Sequence, residues 1–458
     1  MKKILGLIPL LALLLALTCV PASALTYGDW EYTIQNNEVY LTKYIGPGGD
    51  VKVPATLNGV PVTKINFGTF THNQNAKTIY VPSSVKEIED MSFQSCAARE
   101  ITIAEGCTTI GDMAFRLNGS LEKINIPSTV KEMGSELLAN CDSLREVNLA
   151  EGITYLPQRM CATCPSLKTI RLPSTLQIIG EYAFASTTFS AAGYPGLTRI
   201  DIPASVTTIK GYAFLGCHDL QEVNFLGNQL KTIDSGVFKD TAIEHCYLPT
   251  SVTSLGSGVF ENCDRLTGLA LPYGILSIGN AVVDGCDSLT WVSAPSTLKK
   301  IFADNFGKNN NMIVYTPSGS PAETACQNRE TPYLLDASAD SSIQVIYNGQ
   351  RISFGAYGQN PTIVNSRTMV PLRSIFEAMG ADVSWDNATR TALGQRDGTS
   401  ISIAIGSNLL YVNDRAVSLD SPACIINNRT MVPVRAIAEA FQADVDWDNP
   451  SRTVIIEE

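Results

Sequence analysis

The stretch Ile126-Pro127-Ser128-Thr129-Val130-Lys131-Glu132-Met133-Gly134, continued by Leu138-Ala139-Asn140-Cys141-Asp142-Ser143-Leu144-Arg145-Glu146-Val147-Asn148-Leu149, decides the fold. Its frame returns at Leu172-Pro173, Ile202-Pro203, Leu248-Pro249, Leu271-Pro272 and Ala294-Pro295. Pro249, Pro272 and Pro295 are 23 residues apart, and Pro127 and Pro173, like Pro203 and Pro249, are 46 apart, which is two units. A fixed period of this length, repeated about eleven times, is the signature of a solenoid. A solenoid offers a long, regular face, and such faces bind more often than they catalyse.

Each unit carries two apolar sets. One is Leu-x-x-Val-x-Leu, as in Leu144/Val147/Leu149, Leu167/Ile170/Leu172, Leu197/Ile200/Ile202 and Leu266/Leu269/Leu271. It ends in the alternation of a half-buried strand. The other set is Leu176/Ile179/Ala183/Phe184 and Val206/Ile209/Ala213/Phe214. The few inward side chains of one coil cannot offset the entropy of ordering it, so coils must stack and share hydrogen bonds and buried surface. Proline after the strand ends pairing because it has no N–H. Gly111, Gly134, Gly180, Gly256 and Gly279 follow the second apolar set and are expected to permit a tight bend.

The ends need covers. Trp30 to Gln35 and Glu38 to Tyr44 read as a hairpin around Asn36-Asn37 that covers the first coil. Ser320-Pro321-Ala322-Glu323 reads as a capping box that starts a short helix, through about Gln327, over the last coil.

The block Leu-Pro-Ser-Thr-Val-x-x-Ile-Gly-x-x-Ala-Phe-x-x-Cys-x-x-Leu resembles the BspA-like leucine-rich repeats of bacterial surface proteins, as does Tyr44-x-Gly46-x-Gly48-Gly49-Asp50-Val51-x-Val53-Pro54. The resemblance covers about residues 27–333. It implies an exported adhesin or ligand-binding protein. Residues 186–196 depart from the pattern as an insertion, and Ala150 and Cys161 replace the usual Pro and Phe.

A second duplication follows. Asn365-x-Arg367-Thr368-Met369-Val370-Pro371-Leu372-Arg373-x-Ile375-x-Glu377-Ala378 returns 62 residues later as Asn427-x-Arg429-Thr430-Met431-Val432-Pro433-Val434-Arg435-x-Ile437-x-Glu439-Ala440. Each copy continues as Ala-Asp-Val-x-Trp-Asp-Asn, at 381–387 and 443–449. Pro371 and Pro433 suit the first turn of a helix. Arg373/Glu377 and Arg435/Glu439 are i,i+4 pairs on it. Val383-x-Trp385 with Thr391-x-Leu393, and Val445-x-Trp447 with Thr453-x-Ile455, read as hairpins, with the tryptophans expected to pack in a core, the alternative being sugar-stacking platforms. The pattern is similar to the copper amine oxidase N-terminal, stalk-like domain of bacterial envelope proteins. Enzyme chemistry does not come with the resemblance. Copper oxidases need three histidine ligands and an Asn-Tyr-Asp/Glu motif. This chain has only His72, His218 and His245 and no Asn-Tyr dipeptide. Nor does it contain Gly-x-Ser-x-Gly, His-Glu-x-x-His or a nucleotide loop. No catalytic residue, metal ligand or cofactor site is expected.

The expected fold is therefore a β-rich leucine-rich-repeat solenoid of 23-residue coils followed by a small α+β domain built from a duplicated unit. Its divisions are a signal peptide at 1–24, a capping hairpin at 25–53, repeats at 54–315, a capping helix at 316–333, a linker at 334–342 and the duplicated domain at 343–458, with copies at 343–396 and 401–458. The signal peptide rests on Met1-Lys2-Lys3, the apolar run Ile4 to Leu17 and the Ala22-Ser23-Ala24 cleavage site. Thr18 and Ala16 fit a lipobox around Cys19 poorly, so cleavage after Ala24 is the expectation. No later run is apolar enough to span a membrane, and Thr453 to Glu458 do not resemble a sortase signal.

Without Lys2 and Lys3 the chain holds 31 basic and 44 acidic residues, a charge of −13, which disfavours nucleic acid and anionic membranes as partners. Twelve cysteines in an exported protein suggest disulfides. Yet Cys96, Cys141, Cys164, Cys217, Cys263 and Cys286 share one repeat column with Asn118, Thr187, Thr241 and Asn309, so buried free thiols are favoured.

The outward strand positions give the candidate ligand face. One column runs Thr78, Glu100, Lys123, Glu146, Thr169, Arg199, Glu222, His245, Gly268 and Trp291. Its neighbour includes Tyr80, Arg171, Asp201 and Tyr247. Tyr80, Arg171, Arg199, His245, Tyr247 and Trp291 are the candidate contacts for an extracellular protein or glycan, aromatic anchors being frequent hot spots. The alternative is that isolated exposed aromatics carry no function. Arg367 and Arg429, in the duplicated loops, are candidates for holding the cell wall, with bracing of their own loops as the plainer role. The expected protein is a secreted, surface-associated adhesion or binding protein, or else a non-catalytic spacer of the envelope.

Overall fold

The computed structural model describes residues 24–186, 196–301, 305, 311–355 and 358–458. Residues 1–23 of the expected signal peptide and most of the insertion at 186–196 lie outside them. The 23-residue period becomes a parallel ladder: Lys123 pairs with Glu146, Ile124 with Val147 and Asn125 with Asn148, one coil per step. Strands of three or more residues line one side, including Ala76–Val81, Glu100–Ile103, Lys123–Ile126, Glu146–Leu149, Arg199–Ile202, Glu222–Phe225, Gly268–Ala270, Trp291–Ser293 and Ile313–Thr316. A second side is built from two-residue strands such as Glu87–Ile88, Thr109–Ile110, Thr208–Ile209 and Ser277–Ile278. The β-solenoid has about 12 turns.

Inward side chains of both sides form one continuous core from Trp30 to Cys326. Its spine is two runs of stacked phenylalanines, Phe70/Phe93/Phe115 and Phe184/Phe214/Phe238/Phe260, with ring centroids 4.8–5.6 Å apart. Leu138 and Cys161, both buried, stand where the ladder breaks. The cysteine column lies beside it. Cys141, Cys217, Cys263 and Cys286 donate to the carbonyls of Phe115, Phe184, Phe238 and Phe260, at 3.0–3.3 Å. Each thiol therefore satisfies the backbone of the preceding coil, and the eleven described cysteines are free. Burial pushes the Cys96 thiol up to about 11 and Cys217 up to about 12.

The glycine column acts differently from the sequence expectation. Gly111, Gly134, Gly180, Gly256 and Gly279 do not have positive φ. A Cβ at Gly134 or Gly256 would collide with the backbone of the preceding coil. Close stacking, not bending, demands glycine there. The bend falls two residues later, in left-handed backbone at Met113 (φ 56°), Glu136 (φ 55°) and Tyr182 (φ 55°).

Both covers form. Strands Trp30–Gln35 and Glu38–Tyr44 pair around Asn36 and Asn37, whose φ values of 52° and 62° make the hairpin turn. Helix α1, Pro321–Arg329, starts at Ser320, whose hydroxyl accepts from the Glu323 N–H at 3.0 Å. The Glu323 carboxylate reaches back to the Gly319 N–H.

The segment 334–342 is not a loose spacer. Tyr333–Leu335 adds a parallel strand to Ile313–Thr316, and Ala337–Asp340 forms a 3₁₀ turn capped by Asp336. The C-terminal module then folds around a second core running from Val345 to Ile456. Its two copies meet where Arg367–Pro371 pairs antiparallel with Arg429–Pro433, Val370 lying opposite Val432. Pro371 and Pro433 end these strands and precede helices α2 (Leu372–Ala378) and α3 (Val434–Ala440), rather than occupying their first turns. Hairpins Asp382–Asp386/Thr391–Arg396 and Asp444–Asp448/Thr453–Glu457 follow each helix. The first continues into a five-stranded sheet ending at Arg415–Ser418, and the second pairs with Gln344–Tyr347.

Candidate functional site

The long-strand side has two regions. Up to Glu222 its outward residues are mostly polar, and several of them pair across coils. Lys123 meets Glu146 at 3.0 Å, and Arg199 meets Glu222 at 2.9 Å and Asp201 at 3.1 Å. Asn224 donates to Asp201 and Glu222. Asn125 exchanges hydrogen bonds with the backbone of Ile103. Tyr80 is 43% exposed, and Arg171 and Arg199 are exposed.

From His245 onward the C-terminal module covers the face. Trp291, only 5% exposed, belongs to neither core. Its indole N–H donates to the Gly349 carbonyl at 3.0 Å. Gly349 lies in the turn between Gln344–Tyr347 and Gln350–Arg351, with Asn348 and Gly349 both at positive φ. Gly268, one coil earlier in the same column, leaves the space that the indole fills, and a Cβ there would strike the ring. His245 packs beside Gly349 and shares a 3.2 Å hydrogen bond with Thr267. Thr250 donates its N–H to the Pro450 carbonyl at 2.9 Å. Burial, with Glu457 and Asp448 nearby, raises the Tyr247 hydroxyl well above the usual tyrosine range.

The junction is polar and satisfied. Asp336, 3% exposed, holds the Arg351 guanidinium and accepts from the Ser338 N–H and hydroxyl. Arg351 also donates to Gln344 and Ser338 and lies 5.4 Å over the Tyr315 ring. Burial pushes the Asp336 carboxyl up, but Arg351 and the Ser338 bonds outweigh it and hold the carboxyl below its ordinary value. Asp340 accepts from the Ser296 N–H and hydroxyl at 2.6 and 2.8 Å.

Of the six solenoid candidates, Tyr80, Arg171 and Arg199 thus remain on open surface, while His245, Tyr247 and Trp291 are engaged by the chain's own module. The sequence reading of all six as one outward face missed this. The signal was Gly268, a glycine in an otherwise large, polar outward column, which marks close approach of another group.

In the module, Arg367 braces its turn through Asp420 at 2.7 Å, and Arg429 stands exposed at the equivalent turn of the second copy. The tryptophans are not core residues as expected: Trp385 is 39% exposed and Trp447 only partly buried. Each indole instead donates to the asparagine two residues on, Asn387 at 2.7 Å and Asn449 at 3.4 Å, which explains the Trp-Asp-Asn motif. A cleft of about 1190 Å³ opens beside Trp447, between α3 and the strands Leu409–Val412 and Arg415–Ser418.

Residues 63–191 and 188–313 match the BspA type leucine rich repeat region, and the chain belongs to that family. Residues 346–456 match the copper amine oxidase N-terminal domain. Among solved structures, the pneumococcal vaccine antigen PcpA is 16% identical, with 69% of this chain and 99% of that one covered and a TM-score of 0.43. A leucine-rich repeat protein from Bacteroides ovatus is 21% identical, covering 68% and 99%, with a TM-score of 0.35. A protein of Brevibacillus choshinensis described as a protease inhibitor is 27% identical over 116 residues, 25% of this chain. The chain spans about a third (35%) of the length of that curated relative.

Proposed function

We propose that the protein is an exported, surface-associated binding protein that recognises an extracellular protein or glycan through the uncovered part of its long-strand face. The observation that carries this reading is the contrast along that face. Coils up to Glu222 keep a solvated, mostly polar row in which Lys123 pairs with Glu146 and Arg199 with Glu222, whereas later coils are closed by the module. Tyr80, Arg171 and Arg199 are the contacts assigned to the ligand. The C-terminal module associates with the envelope, using the loops of Arg367 and Arg429. No catalytic role is assigned to either module. Among the described residues no helix is long and apolar enough to cross a membrane, a fact that leaves β-barrels aside.

The test is capture of extracellular matrix proteins and of purified cell wall by the full chain. Tyr80→Ala with Arg199→Ala should abolish matrix or glycan capture and spare wall binding. Arg367→Ala with Arg429→Ala should do the reverse. Capture of neither material would favour the non-catalytic spacer.

A further inference from the structure

The cleft of the C-terminal module has two outer strand edges in its walls. Arg415–Ser418 pairs with Leu409–Val412 and ends its sheet. Asp444–Asp448 pairs with Thr453–Glu457 and ends the other sheet. Among the described residues Arg415–Ser418 has no second partner, whereas the Asp444–Asp448 edge is partly engaged, its Val445 carbonyl accepting from Arg435 at 3.3 Å and its Trp447 backbone N–H donating to Asp446. Val417 and Ser418 from one, and Val445 and Trp447 from the other, line the same cleft. All four residues of Arg415–Ser418 are exposed. Proteins usually guard such an edge with proline, a bulge or a covering element. Among the described residues Arg415–Ser418 has no proline, bulge or covering strand, and only its shortness and the charge of Arg415 guard it.

The cleft has the size and chemistry of a peptide site. Its volume, about 1190 Å³, exceeds the ~300–1,000 Å³ usual for small molecules. Leu410, Val434, Ala436, Ala440 and Val454 give it an apolar floor. Four guanidinium groups, from Arg367, Arg415, Arg435 and Arg452, meet three carboxylates, from Asp420, Glu439 and Asp446. Arg367 is held by Asp420, and Arg435 lies 3.9 Å from Glu439. The Asp446 carboxylate accepts from the Trp447 N–H. Arg415 has no side-chain partner among the described residues, and the shielded Nε of Arg452 has no hydrogen-bond partner. The exposed Arg415 guanidinium is thus left to an incoming anion.

We propose that this cleft receives an extended, acidic segment of a partner protein as an added strand. Its backbone would pair with the free Arg415–Ser418 edge, alternate apolar side chains would face the Trp447 side of the floor, and a carboxylate would meet Arg415. An anionic glycopolymer satisfies the arginine but has no regular N–H and C=O groups for the edge. The site is separate from the solenoid face and does not depend on what that face binds.

The probe is a fluorescent eight-residue peptide alternating Glu with Val and Thr, titrated by anisotropy against the full chain. It should bind, and both its Lys counterpart and a version N-methylated at alternate backbone nitrogens should bind at least tenfold more weakly. Arg415→Glu, and independently Val417→Asp, should weaken it at least tenfold without changing the circular dichroism spectrum. Excess inorganic polyphosphate should not displace it. The proposal is overturned if none of the peptides binds, if the N-methylated or Lys peptide binds as well, if both variants bind normally, or if polyphosphate displaces the peptide.

Discussion

The two regions of the long-strand face are built on one backbone register and carry opposite surfaces. At Lys123, Glu146, Arg199 and Glu222 the outward column is charged and paired across coils. At His245, Gly268 and Trp291 the same column offers a ring, a gap and an indole turned toward another module. The inward residues hardly change between the regions, since Ile124, Val147, Val223, Leu269 and Val292 are all buried. Stacking fixes the inward half of each repeat and leaves the outward half free to diverge. A repeat array can therefore present a solvated binding face in some coils and an internal docking surface in others.

The largest way to break this contrast is at the junction. Asp336→Ala strands the Arg351 guanidinium in a buried site, which costs about 3–5 kcal/mol for a broken buried pair. Thermal melting should show the loss, centred on the module. The same pair sets an acid dependence. Because the folded carboxyl of Asp336 is held below its unfolded value, its contribution is complete above about pH 4 and disappears as pH falls through the folded value. Acid titration of the Asp336→Ala chain should lack that step.

Next comes the aromatic anchor. Trp291→Ala should weaken docking by about 2 kcal/mol or more, as for a buried interface hot spot. Gly268→Val should act in the same direction by evicting the indole, since a Cβ at that position strikes the Trp291 ring. If Gly268→Val leaves docking intact, the gap is incidental and the contrast between regions weakens.

Tyr247 gives a smaller, reporting effect. Its hydroxyl is raised by burial and by the neighbouring carboxylates of Glu457 and Asp448. A raised tyrosine stabilises the docked form fully below about pH 10, and that contribution is lost as pH rises through the folded value. Ultraviolet titration should show Tyr247 among the late-ionising tyrosines of the wild type, with one fewer ionising late in Trp291→Ala. The smallest effect belongs to the open region. Lys123→Ala removes an exposed pair with Glu146 and should leave the melting temperature unchanged.

Most of the fold was legible in the sequence because a repeat writes the same physics many times. The strand columns stand where the periodicity put them, and the hairpins of the duplicated module follow its repeated motif. What escaped were relations between coils or between modules. The glycine column looked like a bend because a single coil shows nothing of the neighbour that a Cβ would strike. The 334–342 segment looked like a linker because Asp336 and Arg351, 15 residues apart, have no periodic relation. Trp291 looked like an exposed anchor because the strand pattern says which side a residue faces, not what lies beyond it. Trp385 and Trp447 looked like core residues because a tryptophan in a hairpin usually packs, and the partner Asn two residues on was not weighed.

The central claim is that the C-terminal module rests on the later coils and leaves the earlier ones open. Amide hydrogen exchange of the wild-type chain against Gly268→Val tests it most directly. The account predicts that peptides spanning 245–251, 289–293 and 347–351 are protected in the wild type and lose protection together in the variant, while 100–148 is unchanged in both. Equal exchange of those three peptides in the two chains would contradict it.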